Sequence, residues 1–257
     1  MGGVNDLFSL EGKNALITGG TRGIGLMIAR GYLEAGARVW ISSRKADVGE
    51  AVVAELAPLG TIESIPADLS TEDECRRLAA EITNRTDRLD ILVNNAGATW
   101  GTPLEEWDDK AWDRVLDLNV KGVFHLTKYC LPLLKAAGTV DEPARVINIG
   151  SIDGLRVPLM ETYSYSASKA AVHMLTRHLA RRLAPEITVN AVAPGPFESK
   201  MMAATLEAFG EQIAASAPLR RIGRPDDMAG VAIYLASRAG AYLTGAVIPV
   251  DGGISTL

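Results

Sequence analysis

The stretch from Ala15 to Gly25 reads Ala-Leu-Ile-Thr-Gly-Gly-Thr-Arg-Gly-Ile-Gly, a short apolar run followed at once by a glycine-rich turn. The apolar run is typical of a buried strand, and a helical segment, Ile24–Ala35, begins among the glycines. A strand, a glycine turn and a helix in this order predict a site for the pyrophosphate of a dinucleotide, because unpaired amides at the helix N-terminus face the anion. A glycine turn alone is weak evidence, so the rest of the chain decides the interpretation.

Short apolar runs alternate with longer amphipathic segments along the chain. Seven runs are typical of strands: Ala15–Thr18, Val39–Ser42, Thr61–Pro66, Ile91–Asn94, Val146–Ile149, Thr188–Val192 and Ala246–Val250. Four segments between them have helical character: Ile24–Ala35, Glu72–Thr83, Trp112–Ala136 and Ser166–Leu183. Because strands that are apolar throughout are buried on both faces, this alternation predicts an α/β fold. We expect a doubly wound Rossmann domain with a mostly parallel seven-stranded sheet flanked by helices.

No linker rich in Pro, Gly or Ser divides this alternation, which predicts one domain over residues 1–257. Residues 196–220 depart from the pattern. This segment is weakly amphipathic, with Leu206, Phe209 and Ile213 as its apolar positions and small residues close behind. We interpret it as a small lid over a substrate site and not as part of the core.

Composition limits the classes of partner. The net charge of −5 and the scattered Lys and Arg residues predict no nucleic-acid surface. No apolar stretch approaches the ~20 residues of a membrane span, and no signal-peptide region is visible, so we expect a cytoplasmic protein without a membrane partner. Cys75 and Cys130 are too few for a disulfide framework, which favours a reducing compartment. His125, His173 and His178 lack ligand spacing, so we expect no metal and assign them to packing or to the surface.

The stretch Tyr165-Ser-Ala-Ser-Lys169 points to proton chemistry. On a helix, Tyr165 and Lys169 project from one face, which places an ammonium near a phenol. The ordinary pKa of tyrosine is about 10, and a nearby cation favours the phenolate, so the pair predicts a tyrosine tuned for proton transfer. Ser151 follows a predicted strand and can hydrogen-bond a substrate oxygen; without Tyr165 it would be interpreted as an ordinary turn residue. Tyr163 is at the wrong spacing from Lys169.

The residues after the second strand indicate which dinucleotide is bound. An acidic side chain about 20 residues beyond the glycines binds the ribose 2′-hydroxyl of NAD(H), but the sequence there is Ile41-Ser-Ser-Arg44. Ser43 removes a carboxylate that would repel a 2′-phosphate, and Arg44 and Arg22 supply planar cations that suit one. We therefore predict NADP(H); the alternative is that both arginines simply face solvent.

Two further strand ends carry polar residues at the edge where such sheets bind ligands. Asp68, after the third strand, either holds the adenine amino group or caps the helix that begins near Thr71. We favour the adenine role. Asn94-Asn95-Ala96-Gly97, at the fourth strand, either allows a close approach to the cofactor or forms a plain polar turn.

Together these motifs resemble those of the short-chain dehydrogenases/reductases, over essentially the whole chain. The matching residues fall in the family's order: Thr18-Gly19-x-x-x-Gly23-x-Gly25, Asn94-Asn95-Ala96-Gly97, Asn119, Ser151, Tyr165-x-x-x-Lys169, Pro194-Gly195 and Val250-Asp251-Gly252-Gly253. The resemblance implies an oxidoreductase in which Tyr165 donates the proton and Ser151 steadies the carbonyl oxygen. It also implies that Lys169 binds the nicotinamide ribose and lowers the pKa of Tyr165, and that Asn119 supports a water-linked proton relay.

The resemblance also extends the expected cofactor site. It places Asp68 beside adenine and Asn95 near the adenine ribose. It places Phe197 and Ser199 around the nicotinamide carboxamide, with Ser199 where the family usually has Thr. The full set of expected cofactor contacts is Gly19, Thr21, Arg22, Gly23, Ile24, Gly25, Ser43, Arg44, Asp68, Leu69, Asn95, Ala96, Gly97, Tyr165, Lys169, Pro194, Gly195, Phe197 and Ser199.

Within the family, the chain is similar to β-ketoacyl reductases, especially the branch associated with rhamnolipid or polyhydroxyalkanoate precursors. The stretches that carry this likeness are Asn95–Gly101, Pro143–Ser151 and Gly223–Met228. The resemblance also implies a homotetramer built through the two long helices and the C-terminal segment.

One departure concerns acyl-carrier protein, which is acidic. Asp141 and Glu142 would repel it if they lie near the entrance of the site, although Arg145, Arg181 and Arg182 could compensate. The sequence therefore does not decide whether the substrate is bound to acyl-carrier protein, linked to CoA or free.

The predicted function is the NADPH-dependent reduction of a ketone to a secondary alcohol, with a 3-oxoacyl thioester or another apolar carbonyl compound as substrate. Apolar candidates for the wall and lid of the substrate site favour this class over a free sugar. They are Trp100, Ile152, Leu155, Met160, Met201, Met202, Leu206 and Phe209. Two alternatives remain: an NAD-linked alcohol or sugar dehydrogenase, and a catalytically silent NADP(H)-binding regulator.

Overall fold

The computed structural model describes residues 3–158, 160–198 and 203–256. The predicted site residues Ser199, Met201 and Met202 lie outside these ranges, and so does the side chain of Leu206. Within them, a parallel sheet lies between two layers of helices.

The sheet has seven strands in the order β3-β2-β1-β4-β5-β6-β7, and its pairings are all parallel. The strands are β1 (Asn14–Thr18), β2 (Arg38–Ser43), β3 (Ile62–Pro66), β4 (Ile91–Asn94), β5 (Ala144–Ile149), β6 (Ile187–Pro194) and β7 (Val247–Val250). The predicted strands agree with these bounds to within two residues at each end. The predicted α/β fold with a parallel seven-stranded sheet is therefore confirmed.

The strand order reverses at β1, which pairs with β2 on one side and β4 on the other. Chain connections leave toward opposite faces at this point, so a crevice opens beyond the carboxyl ends of β1 and β4. The glycine turn follows β1, the Asn95 segment follows β4, and Ser151 follows β5. The topology thus brings the two predicted motifs to one edge of the sheet.

Helices cover both faces of the sheet. They are α1 (Val4–Phe8), α2 (Gly23–Glu34), α3 (Ala46–Leu56), α4 (Glu72–Thr83), α5 (Asp109–Leu116), α6 (Val123–Ala137), α7 (Tyr163–Leu183), α8 (Ala203–Ser216) and α9 (Pro225–Ala236). One layer, with α2, α3 and α9, packs on Ile17, and the other, with α4, α6 and α7, packs on Leu16. Successive strand residues point to opposite faces, so these neighbours belong to different cores. None of the helices in the described ranges has the length and apolar character to cross a bilayer.

The predicted continuous helix Trp112–Ala136 is wrong at one point. A π-helical turn, Asp117–Gly122, separates α5 from α6. Such a turn shifts the helical phase by one residue and often marks a functional site. Here it buries Asn119, which is 1% exposed. The apolar spacing on either side remains helical, and for this reason the sequence pattern does not reveal the interruption.

Asp141 and Glu142 lie at the edge of the sheet opposite to Ser151, so the predicted objection to an acidic carrier is wrong. Both residues precede β5, whereas Ser151 follows it, and the six strand residues between them span roughly 20 Å. Glu142 pairs at that far edge with Lys13, just ahead of β1, with an N–O distance of 2.5 Å.

The basic residues expected to compensate lie at the same far edge. Arg145 is 3% exposed and donates to the backbone carbonyls of Pro143 and Ser237. Arg181 and Arg182 lie in the last turn of α7, where cations complement the helix dipole. None of these three groups is placed to receive a carrier at the substrate edge.

Candidate active site

The glycine turn lies directly against the ends of its neighbouring strands. Gly19 has a φ of +64°, in the left-handed region that favours glycine, and its N–H donates to the Ser42 carbonyl at 2.7 Å. A Cβ placed on Gly25 would lie 2.4 Å from the Gly19 carbonyl oxygen and 2.5 Å from Nδ2 of Asn95. Only glycine allows the first turn of α2 this close, and the free amides of that turn then face the crevice. This cradle fits a pyrophosphate.

The Thr18 hydroxyl joins the ends of β1 and β4. It accepts hydrogen bonds from the N–H groups of Asn95 and Ala96, both at 2.9 Å, and donates to the Val93 carbonyl at 3.3 Å. The Asn95 side chain in turn donates to the carbonyls of Thr18 and Gly19, at 2.8 and 3.1 Å. Asn95 therefore organises the glycine turn. Sequence reasoning misses the role of Thr18, although a hydroxyl at the end of an apolar strand is a visible signal.

Thr18→Val is expected to lower the free energy of unfolding by about 2–4 kcal/mol, because two partly buried N–H groups lose their acceptor while the side-chain shape is kept. Thr18→Ser keeps the hydroxyl and loses one buried methyl group, which costs about 1 kcal/mol. Urea unfolding of both variants measures the difference. Equal losses would contradict the role given to the hydroxyl.

The end of β2 carries no acidic side chain. Ser43 donates its hydroxyl to the Lys45 carbonyl at 3.2 Å. Arg22, at the N-cap of α2, and Arg44, just beyond β2, are both exposed. Within the described residues, neither guanidinium has a carboxylate partner. The two predicted cations thus lie at the carboxyl end of β2, where sheets of this type bind the adenosine ribose of a dinucleotide.

Asp68 does not cap the helix that follows it. The N-cap of α4 is Thr71, whose hydroxyl accepts from the Glu74 N–H at 3.4 Å. The Asp68 carboxylate accepts instead from the Ser70 N–H at 3.2 Å. The capping alternative is therefore wrong, and the role of Asp68 beside adenine stays a prediction.

Ser151, Tyr165 and Lys169 meet between the end of β5 and the start of α7. Ser151 Oγ accepts from the Asp153 N–H at 3.1 Å, so its own hydrogen is available to the Tyr165 phenol and, once a substrate is bound, to the substrate oxygen. The buried Lys169 donates from Nζ to the Ile149 carbonyl at 2.8 Å, and Nζ lies 5.5 Å from the centre of the Tyr165 ring. The helix α7 begins a turn earlier than predicted, so Tyr165 lies in its first turn.

Burial controls the acidity of both helical residues. It raises the pKa of the Tyr165 phenol to about 12; a hydrogen bond with Ser151 lowers that pKa and the Asp153 carboxylate raises it. Burial also lowers the pKa of the Lys169 ammonium to about 8. The sequence predicts that Lys169 lowers the pKa of Tyr165, but the groups that act on this pKa in the protein without cofactor are the buried surroundings, Ser151 and Asp153. The ammonium lies over the ring, 5.5 Å from its centre, and burial has the largest effect on the acidity of the phenol.

Asn119 connects the loop after β4 to the helix that carries Tyr165. Its Nδ2 donates to the Ala98 carbonyl and to Ser168 Oγ, both at 2.9 Å, and its Oδ1 accepts from the Ala98 N–H at 2.8 Å. Ser168 donates in turn to the Tyr165 carbonyl at 2.7 Å. The side chain of Asn119 is thus engaged in positioning, and the relay implied by the resemblance stays a prediction. Ser168 is a further residue that sequence reasoning misses.

Gly97 faces the reacting groups. A Cβ placed on it would lie 3.3 Å from Asn119 Oδ1 and 3.7 Å from Lys169 Nζ. The small residue thus keeps the space beside the lysine open. The remaining predicted contacts of the first half of the chain follow the same sheet edge: Thr21, Gly23, Ile24, Leu69 and Ala96.

The segment after β6 partly departs from the prediction. Pro194 ends the strand, and Gly195 donates its N–H to the Val250 carbonyl at 3.0 Å. The ring of Phe197 is 2% exposed and packs on Gly223, so the predicted proximity of Phe197 to a carboxamide involves its main chain and stays a prediction. Only the main chain of Phe197 is available to a cofactor, and Ser199 lies outside the described residues.

His173 is held neutral inside the protein. It is 3% exposed, and burial lowers its pKa to about 4; the Gly154 backbone opposes this shift, and the cations Lys169 and Arg177 add to it. The imidazole of an unfolded chain has a pKa of about 6.5. Between these two values the unfolded state binds the proton more readily, so stability is complete above about pH 6.5 and falls as the pH approaches 4.

His173→Leu is expected to remove this acid-induced loss, which amounts to roughly 3 kcal/mol by about pH 4. The measurement is the free energy of unfolding in urea for wild type and variant from neutral pH downward. The wild-type curve should fall relative to the variant's by this amount between about pH 6.5 and about pH 4, since only the wild type gains a proton on unfolding at this position. Parallel curves would contradict a buried neutral imidazole.

The arrangement combines a cradle for a dinucleotide with a phenol, a hydroxyl and an ammonium at one edge. Among the described residues, no three His, Cys, Asp or Glu side chains are grouped to hold a metal ion.

A family model described as enoyl-(acyl carrier protein) reductase matches residues 19–255. The rhamnolipids biosynthesis 3-oxoacyl-[acyl-carrier-protein] reductase of Pseudomonas aeruginosa is 50% identical over 96% of this chain and 97% of its own length. The chain belongs to the short-chain dehydrogenase/reductase family.

Solved structures of short-chain dehydrogenases/reductases share this fold closely. The Pseudomonas aeruginosa RhlG/NADP active-site complex superposes with a TM-score of 0.94 at 49% identity, over 97% of this chain and 99% of that one. A gluconate 5-dehydrogenase from Burkholderia cenocepacia in complex with NADP and tartrate has a TM-score of 0.92 at 32% identity, over 99% and 100% of the two chains. The predicted family and oxidoreductase class are confirmed, while relatives with different substrates share the fold.

Proposed function

We propose that this protein is an NADP(H)-dependent reductase that converts a ketone to a secondary alcohol, with a 3-oxoacyl thioester as its substrate class. The observation that carries the proposal is the meeting of Ser151, Tyr165 and Lys169 at the edge that also bears the glycine cradle. The 50% identity to a 3-oxoacyl reductase supports the substrate class.

Ser151 and Tyr165 have separate roles in the proposed reduction. The chemistry that the cofactor supplies when bound is a hydride for the carbonyl carbon. Ser151 donates its hydrogen to the carbonyl oxygen and so stabilises the charge that develops there. Tyr165 transfers its phenol proton to that oxygen. Because the pKa of Tyr165 is raised to about 12, the phenol keeps its proton at neutral pH, which suits reduction.

The cofactor preference rests on charge at the end of β2. Ser43 stands where a carboxylate would repel a 2′-phosphate, and the exposed Arg22 and Arg44 can each donate to one. Gly19 and Gly25 allow the backbone amides of α2 to hold the pyrophosphate. The RhlG structure, which is an NADP complex, supports the same preference.

The substrate side of the site is apolar. Trp100, Leu155, Met160 and Phe209 are between 39% and 59% exposed near the carboxyl edge of the sheet, which favours an acyl chain over a free sugar. We include residues 196–220 as the lid. Its base is anchored where Ala217 packs on Ile152, next to Ser151, and on Ile254.

The remaining parts of the proposal concern the assembly and its setting. The exposed apolar side chains Phe124 on α6 and Met174 on α7 support a homotetramer built through these helices. We keep an acyl-carrier protein as a candidate carrier of the substrate, since the acidic pair Asp141 and Glu142 lies at the far edge. Two buried free cysteines suit the reducing cytoplasm.

The test is NADPH oxidation by the purified protein with a panel of 3-oxoacyl-CoA and 3-oxoacyl-carrier thioesters, alicyclic diketones and sugar ketones, and NADH in parallel. We expect the fastest turnover with NADPH and a thioester. Turnover confined to another ketone would keep the mechanism and overturn the acyl assignment.

A second candidate is a sugar-acid dehydrogenase, which the structural likeness to a gluconate 5-dehydrogenase favours. It predicts oxidation of a hydroxy acid with reduction of the dinucleotide, and no activity with thioesters. A silent NADP(H)-binding regulator would bind NADPH tightly and turn over no compound. The complete set of Asn119, Ser151, Tyr165 and Lys169 is evidence against that role.

A further inference from the structure

His173 lies directly behind the reacting groups, one helical turn beyond Lys169 and two beyond Tyr165 on α7. It is 3% exposed, and within the described residues neither ring nitrogen has a partner with full hydrogen-bond geometry, although the Gly154 backbone acts on the ring. A buried polar ring without a well-formed hydrogen bond costs stability and calls for an explanation. The proposed reaction gives it no proton to carry.

The imidazole packs on both glycines that flank the Ser151 turn. A Cβ placed on Gly150 would lie 2.2 Å from His173 Nε2, and one on Gly154 would lie 2.9 Å from His173 Cε1. Ser151 and the short turn Ile152–Gly154 are held between these two contacts. At Gly150 the ring is the nearest group and sets how closely the turn approaches α7, whereas at Gly154 the α7 backbone lies closer than the ring.

We propose that His173 is a positioning residue that fixes the Ser151 hydroxyl relative to Tyr165. The shape of the ring does this by supporting the turn at Gly150 and Gly154. The cofactor cradle around Gly19 lies on another strand end and has no contact with the ring among the close contacts described. The inference rests on the proposed reduction for its kinetic consequences and on packing alone for its structural ones.

Truncation of the ring is expected to separate kcat from cofactor binding. His173→Ala should lower kcat roughly 10- to 100-fold, because a displacement of about 1 Å in a reacting group costs this much. The NADPH dissociation constant should change less than about 2-fold. His173→Leu fills most of the same space and should keep kcat within about 5-fold of wild type. Loss of kcat in both variants alike, or in neither, would overturn the proposal.

Two double variants test the contact itself. Gly150→Ala should lower kcat at least about tenfold below that of His173→Ala, and the double variant should recover to near the His173→Ala value, because the new methyl then meets open space. Recovery stays partial, since that Cβ also lies 3.2 Å from the Val192 carbonyl oxygen. Gly154→Ala is the matched control: its Cβ meets the α7 backbone, 2.7 Å from Ala170 N and from Lys169 C, so His173→Ala should not rescue it. Equal rescue, or none, would overturn the proposal.

A crystal structure of His173→Ala provides a readout that needs no substrate. We expect the Ser151 oxygen to be displaced relative to the Tyr165 hydroxyl, with the glycine turn at Gly19 unchanged. An unchanged Ser151 would overturn the inference. Failure of the proposed function would be seen separately, as wild-type protein that turns over none of the panel compounds while the displacement in the variant is still observed.

Discussion

Tyr165→Phe is expected to lower kcat for ketone reduction by roughly 10²- to 10⁴-fold, the range that a positioned general acid contributes. The substitution removes the phenol proton and keeps the ring that packs at the start of α7. Because the glycine cradle is unaffected and only the hydroxyl of one expected cofactor contact is lost, the NADPH dissociation constant should rise by less than about 10-fold. Single-turnover NADPH oxidation and a binding titration measure the two quantities.

Tyr163→Phe is the matched control for this prediction. Tyr163 lies two residues earlier on the same helix, is 39% exposed, and donates its hydroxyl to Glu161 at 3.0 Å. Loss of this surface hydrogen bond should leave kcat within about 2-fold of wild type. A Tyr165→Phe enzyme with near-full turnover, or equal losses in both variants, would refute the assignment of the proton donor.

Arg44→Asp is expected to shift the preference for NADPH over NADH by about 100-fold. A charge-assisted hydrogen bond to the 2′-phosphate is worth roughly 1.5–3 kcal/mol, and a carboxylate adds repulsion in its place. The affinity for NADH should be kept or improved, since a carboxylate can accept from a free 2′-hydroxyl. Dissociation constants for both dinucleotides at one ionic strength measure the effect.

Arg182→Asp makes the same change in net charge at the far edge, in the last turn of α7. Because exposed charges beyond a Debye length are largely screened, this variant should leave the cofactor preference unchanged. An unchanged preference in Arg44→Asp would remove the basis for the phosphate site. A shift in both variants would assign the preference to overall charge.

The architecture follows from local pattern to a large degree. Continuous apolar runs such as Ile91–Asn94 predict buried parallel strands, and the structure confirms them. The helix Glu72–Thr83 is reproduced at both ends, since Thr71 caps it and acidic residues fill its first turn. The π-helical turn at Asp117–Gly122 escapes sequence reasoning, because its hydrogen bonding changes the helical phase without changing residue types.

Prediction of the site divides in the same way. Ser151, Tyr165 and Lys169 are brought together as expected, because strand-end positions converge in a parallel sheet. The placement of Asp141 and Glu142 was open in the sequence, since distance along the chain does not say which edge of the sheet a loop occupies. Phe197 likewise follows a strand end, but whether its ring faces the crevice or the core depends on Gly223, 26 residues farther along.

The sequence by itself determined the family, the parallel sheet, the dinucleotide motif and the residues for proton transfer, because each depends on residue types at short spacing. Only the tertiary structure decided the properties that arise from burial and from contacts between distant segments. Examples are the hydrogen bond from the Asn95 N–H to the Thr18 hydroxyl, the raised pKa of Tyr165 and the contact of His173 with Gly150. A side chain's solvent, partners and neighbours come from elements far away in the chain, and local pattern carries no information about them.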